Sequence, residues 1–134
     1  MFIPPLHPIL VHFTAALVPA SLISDLAGRF LRRESLYHAA WWMLLYAAVI
    51  TPLASIAGWL WFDAMNRPGD LAMRTHLYLG TALAIALLPL MLWRLRLHRR
   101  QAVPTGIYLF VTGVLVAAVA VQGHLGGMLT FGGS

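Results

Sequence analysis

Six histidines, no cysteine and only four acidic side chains define the chemistry open to this chain of 134 residues. Without a thiol there is no disulfide, no thiolate-held zinc or iron–sulfur cluster and no thioether-linked haem, so a metal must be held by imidazole, thioether, carboxylate or backbone. Neutral imidazole suits haem iron and copper. No His-Glu-x-x-His occurs, which removes the usual zinc-hydrolase arrangement. Methionines Met1, Met65, Met73 and Met128 accompany His7, His12, His76 and His124 on one side of the chain as read below, so copper held by His and Met is the alternative to haem. The spacings Met-x-x-Met and His-x-Met are absent.

The elements that must position these groups follow from hydropathy. The chain is 60% hydrophobic and 10% charged, with a mean hydropathy of +0.80, which excludes a soluble globule. Four apolar runs, at about 9–27, 39–62, 75–93 and 105–125, each approach the roughly 20 residues that a hydrocarbon core requires. They predict one domain, an all-α membrane-spanning antiparallel four-helix bundle. Pro8 suits a first helical turn, Gly28 a C-cap, Pro68-Gly69-Asp70 a turn and Pro104 a helix start. Pro19, Pro52 and Pro89 fall inside the runs, where lipid tolerates them as kinks.

Arginine placement sets the orientation. Of nine arginines, seven (Arg29, Arg32, Arg33, Arg94, Arg96, Arg99 and Arg100) lie in the first and third connections. Arg67 and Arg74 lie on the other side, offset by Asp63 and Asp70. The positive-inside rule makes the arginine-rich connections cytoplasmic and both termini periplasmic, in a bacterial inner membrane. The basic charge thus reports topology, and no nucleic-acid partner is expected.

In this arrangement His7, His12, His76 and His124 share the outer side, and His12 and His76 lie about one to two turns inside their helices. Small residues flank them at helical spacing: Ala15, Ala16 and Pro19 by His12, Gly80 and Ala84 by His76, and Ala120, Ala117 and Gly113 by His124. Such stripes serve helix packing generally. They also let a flat macrocycle approach, and intramembrane ionisable groups are functional candidates. A b-type haem needs two imidazoles from different helices, an apolar slot and polar groups for its propionates. His12 and His76 are the expected axial pair, His124 the rival and His7 the most peripheral. Gly80 and Ala120 provide close approach, and Arg67, Arg74, Asn66 and Thr75 form the rim. His98 is expected in a solvated arginine run, and His38 with no histidine at its level, which disfavours a second haem. Asp25 is expected to meet Arg29, and Asp63 to meet Arg67 or Arg74.

The segment Leu6-His7-Pro8-Ile9-Leu10-Val11-His12-Phe13 is similar to the opening Leu-His-Pro-x-x-Val-His-Phe motif of an uncharacterised bacterial four-helix membrane family, a family of unknown function. Gly58 to Asp63, His76 and Gly123-His124-Leu125-Gly126-Gly127 with Leu129-Thr130 resemble its later signatures, in the same order. Many relatives continue with His-Gly where this chain has Phe131-Gly132, so one potential ligand is missing here. That family looks akin to four-helix b-type cytochromes. The resemblance implies haem b and electron transfer to or from quinol or a periplasmic carrier. The chain is expected as a subunit or relay of a larger membrane complex, or as a homodimer, and more as an electron carrier than as a stand-alone enzyme. A cofactor-free packing subunit is the remaining alternative.

Overall fold

A computed structural model describes residues 6–65 and 71–131 of the chain. The elements are four helices, α1 (Leu6–Leu31), α2 (Glu34–Met65), α3 (Leu71–Arg99) and α4 (Gly106–Phe131), with no strand among the described residues. Each is long and apolar enough to cross a membrane. At 1.5 Å per residue, helices of 26 to 32 residues run about 39–48 Å, beyond the hydrocarbon and through the headgroup layers. The chain is a multi-pass membrane protein.

Two helix ends show why the spans exceed their apolar runs. Gly28 does not end α1. The helix continues to Leu31, and Arg32 takes the left-handed conformation (φ 53°) while Arg33 N–H bonds the Gly28 carbonyl at 3.2 Å. The same Schellman closure ends α3, with Gln101 at φ 50° and Ala102 N–H on the Leu97 carbonyl at 2.9 Å. Gly28 is needed instead for packing, because a Cβ there would come within 3.0 Å of the Tyr37 ring. At α4, Thr105 is the N-cap, its hydroxyl accepting from Tyr108 N–H at 3.2 Å, and Pro104 precedes it. Pro19, Pro52 and Pro89 lie inside continuous helices, as expected. The expected Pro68-Gly69-Asp70 turn lies outside the described residues.

Each helix packs on two neighbours: α1 and α3 each contact α2 and α4, which leaves α1 diagonal to α3 and α2 diagonal to α4. Loops and termini therefore define two ends. One carries the arginine-rich turns, and the other, the terminal end, carries the start of α1 and the end of α4. The α1–α2 seam is the most extensive. Thr14, Val18, Ser21, Ser24, Asp25 and Gly28 are buried along one face of α1. Ser21 donates to the Ala40 carbonyl at 2.8 Å, Ser24 to the Leu36 carbonyl at 2.7 Å, and Thr14 meets the Thr51 hydroxyl at 2.9 Å. Small hydroxyl side chains let the backbones close up, and each finds its partner within the bundle, as lipid requires. Beyond them Val18, Leu44, Ala47, Leu83, Leu87, Leu90, Tyr108 and Val119 form the apolar core. Large apolar residues such as Phe30, Ile107 and Phe110 are exposed, which suits a surface facing lipid.

Among the described residues, one ion pair crosses the diagonal. Asp25 and Arg94 are 1% and 3% exposed. The guanidinium grips both carboxylate oxygens, Nη2 to Oδ1 at 2.8 Å and Nη1 to Oδ2 at 3.0 Å. It also donates to the Tyr37 carbonyl at 2.9 Å and lies 5.4 Å from the centre of the Tyr108 ring. Arg94 thereby touches every other helix. The expected Asp25–Arg29 pair is corrected here. Arg29 is exposed and reaches the Pro104 carbonyl at 3.5 Å, and only a cation inside the bundle can neutralise a carboxylate buried this deeply. Replacing Arg94 by Met should destabilise the purified protein by about 3–5 kcal/mol, because Asp25 is left buried and unpaired. The double variant Asp25→Leu/Arg94→Met should recover most of that loss; thermal unfolding in detergent measures both.

Candidate functional site

At the terminal end, His7 and His76 bring the diagonal helices α1 and α3 together a second time. Their ring centroids are 6.1 Å apart and their planes nearly perpendicular, at 88°. Numbering explains the meeting. His7 precedes Asp25, and His76 precedes Arg94, by the same 18 residues, which is five turns at 3.6 residues per turn and about 27 Å. The ion pair that turns those faces inward at one end therefore turns both imidazoles inward at the other.

The two neighbouring helices brace the rings. His7 Nδ1 bonds the Ala54 carbonyl on α2 at 2.8 Å, and a Cβ at Gly58 would lie 2.9 Å from the His7 ring. That bond places the proton on Nδ1 and leaves the Nε2 lone pair of His7 for a ligand. His76 is buried, and a Cβ at Gly126 of α4 would lie 3.0 Å from its ring. Gln122 Nε2 donates to the His76 carbonyl at 2.8 Å and lies 3.5 Å from His76 Nε2. It occupies the slot made by Gly80, where a Cβ would sit 2.7 Å away. Among the described residues, His76 Nδ1 and Gln122 Oε1 are buried without a hydrogen-bond partner. A cavity of about 50 Å³ adjoins the site, lined in part by His7, Thr14, Thr51, Ser55, Gln122 and Gly123.

Other expected residues lie elsewhere. His12 is exposed on the lipid-facing side of α1 and bonds the carbonyl of Pro8. Five residues separate it from His7, a rotation of about 140°, so the two cannot share an inward face. His124, Ala120 and Arg74 are exposed, and Arg67 and Asn66 lie outside the described residues. Asp63 is exposed. Gly80 admits the Gln122 amide. Gln122 escaped the sequence reading, although it shares a helical stripe with the buried Tyr108, Thr112 and Val119, and a polar side chain in such a stripe is a signal. His38 does have a histidine at its level: its ring lies 5.7 Å from that of His98, which in turn stacks on Trp41 at 4.5 Å. The expectation that His38 stands alone is thus overturned, because α3 runs on to Arg99 as helix and carries His98 back against α2.

The fold and these two polar centres define a four-span membrane bundle with paired imidazoles at its terminal end. Residues 3–133 match the DUF2231 family of predicted membrane proteins, and the chain belongs to it. Neither a curated protein nor a solved structure matches the chain.

The glycines that back the two imidazoles make a direct test. Gly58→Ala or Gly126→Ala forces a methyl against a ring that is already held on its other sides, and should lower stability by about 1–3 kcal/mol. Gly127→Ala, where a Cβ would meet nothing within 4 Å, should leave stability unchanged or slightly raised. Thermal melts of the three proteins in one detergent give the comparison.

Proposed function

We propose that this chain is a small b-type cytochrome of the bacterial inner membrane, with His7 and His76 as the axial ligands of one haem. The single observation carrying this reading is the perpendicular approach of two imidazoles from diagonal helices, 6.1 Å between centroids. Two imidazoles on opposite sides of one metal ion would stand about 6.3 Å apart between centroids, given metal–nitrogen bonds of about 2.0 Å.

Three features of the site fit the group. His7 donates Nδ1–H to a backbone carbonyl, the second-shell bond that orients metal-bound imidazoles. His76 Nδ1 is a buried nitrogen with no partner among the described residues. Gly58 and Gly126 let the backbones of α2 and α4 approach the two rings closely and hold them in place. Arg74, exposed on the first turn of α3, is a cation available to a propionate. When bound, the haem supplies one-electron exchange between ferric and ferrous iron. Two strong ligands leave no open position on that iron, which favours electron transfer over oxygen chemistry.

Arginine asymmetry supports an orientation with the paired histidines towards the periplasm. Electrons would be exchanged with a quinol or a periplasmic carrier, and the chain would work as a subunit or relay of a larger membrane complex, or as a homodimer. The close approach of the two rings also favours a second reading, copper(I) held by the same two imidazoles.

An absorption spectrum of detergent-purified protein, made by cells supplied with haem, tests both. Reduced b-type bands are expected, lost in His7→Ala and in His76→Ala and retained in His12→Ala. A colourless protein with stoichiometric copper supports the second reading, and one with neither cofactor refutes both.

A further inference from the structure

At the arginine end His38 of α2 and His98 of α3 form a second imidazole pair, which no part of the proposed cytochrome uses. Their centroids are 5.7 Å apart with planes at 87°, close to the terminal-end pair in both respects. We propose that His38 and His98 bind a divalent transition-metal ion of the zinc or copper(II) class, joining α2 to α3 near the membrane surface.

The separation falls within the roughly 5–6 Å that two imidazoles adopt on one ion with bonds of about 2.0–2.1 Å. One ring is pre-set. His98 lies on the Trp41 indole at 4.5 Å and 6° from parallel, while Trp41 itself is buried. A ligand fixed in this way loses little freedom on binding. His38 is exposed and His98 half-buried, so water can complete the coordination shell and an ion can arrive from solution. Among the described residues no third His, Asp or Glu side chain joins the pair.

Local charge permits a cation despite the arginine-rich turns. Arg94, one turn before His98 on α3, is ion-paired with Asp25. Arg29 is engaged with the Pro104 carbonyl, and Arg96 and Arg99 are exposed to solvent screening. Glu34, exposed one turn before His38 on the same helix, supplies the nearby anionic charge. Imidazole donors with open water positions suit zinc and copper(II), whereas calcium and magnesium prefer oxygen.

The test is a competition titration of Zn²⁺ against a chromophoric chelator, using tag-free full-length protein in detergent micelles. One ion per chain is expected, bound at least tenfold more weakly by His38→Ala and by His98→Gln and with unchanged affinity by His12→Ala. His38 is exposed, so its replacement does not put folding at risk. A His38→Ala protein that binds Zn²⁺ as the wild type does would overturn the proposal. So would a loss confined to His76→Ala, which would put the ion at the terminal end. The outcome is independent of whether the terminal-end pair carries haem.

Discussion

Hydrocarbon offers no hydrogen bonds, so a charged group inside this bundle must be answered by another chain segment. The Asp25–Arg94 pair is the strongest expression of that constraint. A buried carboxylate cannot be left to solvent, and the guanidinium that answers it comes from the diagonal helix α3, with further contacts on α2 and α4. One interaction thereby sets the rotation of α1 and α3 and holds all four helices at the arginine end. Since His7 and His76 sit in phase with the two charges, five turns away, the rotation that satisfies the ion pair also delivers two imidazoles to the core of the terminal end.

Packing around both centres depends on small residues. Ser21 and Ser24 hand their hydroxyl protons to carbonyls of α2, and Gly28 lets Tyr37 approach closely. At the terminal end Gly58, Gly80 and Gly126 make room for His7, Gln122 and His76 in turn. These glycines lie within helices, where their cost in chain entropy is offset by the close approach they permit. Two tryptophans are drawn into the same networks: Trp41 is buried beneath His98, and Trp59 donates its indole N–H to Thr81 at 2.8 Å.

The result is a molecule with an imidazole pair near each membrane surface and an apolar middle of leucine, valine and alanine. The two pairs differ in setting. His7 and His76 lie between diagonal helices, one half-buried and the other buried. His38 and His98 lie between adjacent helices, one exposed and the other half-buried.

Sequence alone determined the number of spans, their antiparallel order and the grouping of four histidines at one end. These follow from apolar run length and alternating topology, which do not depend on how helices rotate. The inward histidine was also present in the sequence, as the 18-residue interval shared by His7–Asp25 and His76–Arg94, but an interval has no meaning until one of its members is known to be buried. Depth, size of neighbours and residue type favoured His12, and none of these reports helical phase. Only the tertiary structure decided which face of each helix turns inward, because that choice is made by partners distant in sequence: Arg94 for Asp25, Ala54 for His7, Gln122 for His76 and His98 for His38.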